Sequence, residues 1–222
     1  MLLLASLASP SLAALGDGFI AQSQWSFKTA PPEGLDDIAF PFNIRNAPRK
    51  KGFYFAQQFD FTNNADFAYC GLQPQEDENG KPMIRALFSS FQRGSDTNDP
   101  NCSYGADGGP GISCAVKISA SYEPTYFIRI SSAGDGGNRT WRGTLIEHGN
   151  GKETHIGEWT LPEAGKIRSN FIGLVEYFPW NLDPDECSRL PRTEVSFGHP
   201  TSETCGAQGG EITETASVTD GR

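Results

Sequence analysis

Between Phe53 and Phe61 the chain alternates: Phe53, Phe55, Phe59 and Phe61 share one parity, while Tyr54, Gln58 and Asp60 share the other. A two-residue period of this kind is that of a half-buried strand, one face in a core and one turned outward. Further strand-like runs are expected at 67–73, 83–91, 114–122, 125–131, 140–147, 154–161, 167–178 and 193–197. Turn signals separate them: EDENGKP, GSDTNDPN, AGDGGN, HGNGK and PEAGK. TWRGTLIEH and ETHIGEWTLP flank GNGK as a hairpin, which sets Trp141, Gly143 and Leu145 against Gly157 and Trp159. No stretch keeps a 3.6-residue apolar period for three turns. The expected fold is all-β, an antiparallel β-sandwich or jelly roll.

Composition agrees. The 222 residues include 25 Gly and 15 Pro, too many turn formers for a helical protein, and the length suits one undivided β domain. Residues 1–13 read as a signal peptide, a charge-free apolar stretch ending in a small-residue cleavage site at Ser11 and Ala13. The sandwich is then expected over 14–205, and 206–222 as a weak last strand running into a polar tail. With 27 acidic against 18 basic residues the formal charge is -9, the wrong sign for nucleic acid or an anionic membrane.

Five cysteines fit an exported, disulfide-stapled protein. Locality favours Cys102 with Cys114, around the Gly-rich segment CSYGADGGPGISC, and Cys187 with Cys205, leaving Cys70 as a small core thiol. The sequons at Asn101 and Asn138 lie in polar loops and are candidate glycosylation sites. An extracellular location follows.

The blocks FYFAQQFDF, YCGLQPQ with RALFSSFQ, CSYGADGGPGISC and NFIGLVEYFPWN, in that order, resemble segments of secreted bacterial and fungal proteins related to domain of unknown function 3472. The resemblance spans about Gly52 to Phe197 and implies a secreted β-sandwich; it carries no activity and no catalytic residues.

The chemistry must come from the residues. The three histidines, His148, His155 and His199, form no zinc-protease motif, and no nucleophile-elbow serine is present. Ser95 to Asp99, with Asp107, offers oxygen ligands that read first as solvated turn residues, and no cofactor is expected. Glu176 stands out because it interrupts a strand that is apolar on both faces, where a carboxylate needs a partner or an altered pKa. Arg129, on another apolar strand, is its expected counterpart. The leading expectation is non-catalytic binding of a neutral polysaccharide by Glu176, Arg129, Trp180, Tyr54, Gln58, Trp141 and Trp159, with indole faces for stacking and polar groups for hydroxyls. The alternatives are a polysaccharide hydrolase or lyase using Glu176, and a structural or host-interaction protein without a ligand.

Overall fold

The computed structural model describes residues 19–63, 66–133, 139–163, 165–181 and 190–217. The proposed signal peptide, Asn138 and Cys187 lie outside them. The described elements are β1 (Phe19–Thr29), β2 (Asp37–Asn43), β3 (Phe53–Phe59), β4 (Ala68–Glu78), β5 (Lys81–Ser90), β6 (Cys102–Tyr104), β7 (Ile112–Ser119), β8 (Tyr126–Ser132), β9 (Thr140–Glu147), β10 (Glu153–Thr160), β11 (Asn170–Tyr177), β12 (Ser196–Phe197) and β13 (Gln208–Ser217). Helical structure among the described residues is limited to 3₁₀ turns at Ala106–Gly108 and Phe178–Asn181. No helix among them is long and apolar enough to cross a membrane.

Two antiparallel sheets pack face to face, as the alternation predicts. The large sheet runs β13-β1-β11-β3-β4-β5-β7-β6 and the small one β10-β9-β8-β2-β12. One parity of each strand points between them. Phe53, Phe55 and Phe59 of β3, Ile84 and Phe88 of β5, and Ile128 and Ile130 of β8 are fully buried there. Phe88 and Trp159 stack across the gap with ring centroids 4.6 Å apart, and Trp25 meets Phe40 edge-on at 5.1 Å.

The expected hairpin has the expected register, with Gly157 opposite Gly143 and Trp159 opposite Trp141. Its glycines let the sheets approach. A Cβ on Gly143 would lie 2.7 Å from the Phe88 ring, and one on Gly157 2.4 Å from Cys114 Cβ and 2.6 Å from Cys102 Sγ. The Cys102–Cys114 bridge joins directly paired residues of β6 and β7. Cys70 is fully buried, and burial pushes its thiol well above the ordinary value. Cys205 is exposed and makes no bridge among the described residues.

Two strands at the start, β1 and β2, were not marked by the pattern, and β1 inserts between β11 and β13. The segment expected as a weak strand and tail supplies β13, the edge strand paired along β1 from Thr29–Gln208 to Ala21–Ser217.

Candidate functional site

On the large sheet the second parity faces away from the sandwich core and builds a second, smaller apolar cluster. Tyr54, Ala56, Tyr69, Leu87 and Leu174 form it, with Phe67, Phe91, Ala115 and Phe178 half-buried around them. A sheet face open to water would be polar here. Strand register fixes which side chains meet. Glu176 of β11 is paired with Tyr54 of β3. Gln73, the next residue beyond the Phe55–Leu72 pair, lies on the far side of Tyr54 and is itself paired with Arg85 of β5. Glu176, Tyr54, Gln73 and Arg85 thus form one row across four strands, with about 10 Å between the backbones of Glu176 and Gln73 from the spacing of adjacent strands.

Two rows along the strands, Gln58 is paired with Tyr69 and Tyr69 with Ser89. Tyr54 leans from the first row toward the second and meets the Tyr69 ring edge-on, centroids 5.1 Å apart. Its path crosses Gly71, where a Cβ would sit 2.8 Å from the Tyr54 ring and 2.1 Å from the Phe55 carbonyl oxygen. Only a residue without a side chain leaves room for that ring.

The disulfide-closed loop supplies the remaining wall. Its 3₁₀ turn buries Ala106 and holds Asp107 at φ 47°, a left-handed conformation that is costly for a non-glycine residue. The Tyr69 hydroxyl donates to Asp107 Oδ2 at 3.0 Å, which fastens this loop to the sheet.

Burial, reinforced by the neighbouring Tyr69, Cys70, Asp107 and Glu176, holds the Tyr54 phenol well above its ordinary value. Burial, then the charge of Asp107 and the hydrogen bond to it, raises Tyr69 likewise. Both phenols are therefore protonated donors throughout the physiological range. Tyr69 spends its proton on Asp107. Tyr54 Oη is buried and has no hydrogen-bond partner among the described residues. Arg85 Nη1 donates to Gln73 Oε1 at 3.2 Å. Guanidinium has no acceptor to offer, so this contact fixes the amide orientation and leaves Gln73 Nε2 as a donor.

The expected constellation is therefore divided. Glu176, Tyr54 and Gln58 share this outer face, but Arg129 lies in the small sheet, where Nη2 reaches Glu153 Oε1 at 3.2 Å. The expected Glu176–Arg129 pair does not form, because Arg129 alternates with Ile128 and Ile130, which point into the core. Trp141 and Trp159 are 0% and 1% exposed and pack against Phe61, so neither offers a face to a ligand. Of Trp180 only the backbone is described. The acids considered for a cation are used elsewhere: Asp96 accepts from Tyr104, Asp99 contacts His155 and Asp107 accepts from Tyr69. No metal-ligating cluster occurs among the described residues. Asn101 is half-buried, its Nδ2 donating to the His155 carbonyl at 3.4 Å.

Sequence reasoning missed Gln73 and Tyr69, and it weighed Asp107 only as an oxygen ligand for a cation, not as the partner of Tyr69. The first two share a parity within one strand, a signal present in YCGLQ; nothing local assigns Asp107 to Tyr69.

No protein-family model matches the chain, and no curated protein does. Among solved structures, the chain is similar to Scytalido-glutamic peptidase with a peptide-based transition state analog, at 14% identity over 87% of this chain and 88% of that one, TM-score 0.42. It is also similar to SCP-B, a member of the Eqolisin family of peptidases in complex with a tripeptide, at 13% identity over 87% of each chain, TM-score 0.38.

Proposed function

We propose that this protein is an extracellular hydrolase acting on an extended polymer laid across the outer face of the large sheet, with Glu176 as its general base and acid. The observation that carries this reading is the row Glu176, Tyr54, Gln73: one carboxylate, one buried phenol without a partner, and one amide oriented as a donor by Arg85. In the proposed step Glu176 takes a proton from water as the water oxygen bonds to a carbonyl carbon. Gln73 Nε2 donates to the oxygen that becomes negative, and Glu176 returns the proton to the leaving group as the carbon–heteroatom bond breaks. A carbonyl suits this row better than a glycosidic bond, which requires two available carboxylates flanking it. The second carboxylate, Asp107, already accepts from Tyr69. The extracellular setting is supported by the Cys102–Cys114 bridge and by the apolar start of the chain.

A second reading, binding of a neutral polysaccharide on this face without chemistry, draws support from the half-buried rings of Phe67, Phe91 and Phe178, which offer apolar contact to sugar rings. Incubation of the protein with polypeptides, polyesters and neutral polysaccharides separates the two. New carboxyl ends support hydrolysis at carbonyl carbon, and new reducing ends move the chemistry to glycosidic bonds. Intact polymers that nonetheless bind favour the second reading.

A further inference from the structure

The outer face of the small sheet, on the opposite side of the sandwich from Glu176, carries a groove of about 810 Å³ over β8, β9 and β10, walled by the loop 96–99. Its volume lies within the roughly 300–1,000 Å³ of small-ligand sites. The wall is fixed. Asp96 and Thr160 exchange backbone hydrogen bonds at 2.9 and 2.8 Å, and Thr97 Oγ1 donates to the Glu158 carbonyl at 2.6 Å. Asp99, only 9% exposed, contacts the His155 ring and accepts from the Asn101 amide at 2.9 Å. The groove thus exists before any ligand arrives.

Its lining selects the chemistry of the occupant. Arg129 is paired with Glu153 at 3.2 Å, Arg142 with Glu158 at 2.7 Å and His155 with Asp99. Each arginine in the lining therefore has a carboxylate beside it, and the four carboxylates Asp96, Asp99, Glu153 and Glu158 outnumber the two guanidiniums, so an anionic ligand would meet an excess of negative charge. An apolar ligand would strip water from these groups and return no hydrogen bonds. Hydroxyls of Ser131, Thr140, Thr144 and Thr160 lie among the pairs. A surface with planar guanidinium and carboxylate groups side by side matches adjacent hydroxyls that each donate and accept.

We propose that this groove is a binding site for a neutral oligosaccharide, separate from the Glu176 face and independent of the chemistry assigned there. Arg129 and Arg142 are its principal contacts. A bound polysaccharide would tether the protein to an extracellular matrix while leaving the other sheet face open.

The test uses the intact protein on an array of cello-, xylo-, manno- and chito-oligosaccharides, followed by titration of the best binder. Three forms are compared: unmodified protein, the double variant Arg129→Ala/Arg142→Ala, and Glu176→Gln. A fourth, Arg129→Lys/Arg142→Lys, keeps the charges and removes the planar forks. The pairs are solvent-exposed, so melting temperatures of the arginine variants should stay within a few degrees of the parent. The expected result is binding by the parent and by Glu176→Gln, at least tenfold weaker in the alanine double variant and weakened in the lysine one. No glycan bound by the parent, full binding by the alanine variant, or loss confined to Glu176→Gln would each overturn the proposal. None of these outcomes depends on whether hydrolysis is found.

Discussion

Gly71 shows how one residue decides the shape of the site. Its missing Cβ lets Tyr54 cross β4 and reach Tyr69, so Gly71→Ala should cost about 1–3 kcal/mol through overpacking, read as a lower midpoint in urea. Tyr54 is the opposite case. Its buried hydroxyl stabilises nothing that it touches, so Tyr54→Phe should leave the melting temperature unchanged or raise it while weakening whatever binds over the row. Asp36 links pH to stability. Burial alone would raise its carboxyl, but hydrogen bonds and charge from Lys166 and Arg139, each 2.8 Å away, hold it below the ordinary 3.8. A folded value below the unfolded one means the contribution is present above about pH 4 and fades as pH falls through the folded value. Because the carboxylate is partly exposed, Asp36→Asn should cost no more than about 1 kcal/mol at neutral pH. The cost should shrink as pH falls through the folded value, measured by thermal unfolding at neutral and at acidic pH.

At the level of elements, the loop between Cys102 and Cys114 is both staple and wall. Removing the bridge by Cys102→Ser/Cys114→Ser should cost about 3 kcal/mol by loop-closure entropy, seen by denaturation with and without reductant. The same change should loosen Asp107 from Tyr69 and lower activity over the row. The inner strands and the hairpin were legible because their parity is strict: Phe53, Phe55 and Phe59 cannot face water together. β1 was not, since Ser23 sits among its inward residues Ala21, Trp25 and Phe27 and blurs the period. β2 hid behind Pro41, which is tolerated because its neighbour β12 is only two residues long and leaves that side nearly an edge. Glu176 stands out in the sequence as an acid on an otherwise apolar strand. Its surroundings were not legible, because strand register sets Tyr54 beside it and Gln73 one strand further, loop closure brings Asp107 to Tyr69, and neither is written in local spacing. Trp141 and Trp159 misled for a related reason: alternation says that a residue points to one of two faces, and only sheet packing says which face is the core.

Across the whole molecule, the two sheets present different outer faces: the large one turns an aromatic and carboxylate-bearing face outward, and the small one a groove lined by ion pairs. If Gln73 supplies the donor to a developing oxyanion, Gln73→Leu should lower kcat about 10²–10³-fold with little change in fold. Glu176 bears the central claim most directly. The deciding measurement is kcat/KM of Glu176→Gln on the best polymer substrate, taken beside its melting temperature. A loss of about 10²–10⁴-fold, the range of a general acid–base, with a folded protein melting near the parent is the predicted result. Turnover within a few fold of the parent would contradict it and remove Glu176 from the chemistry.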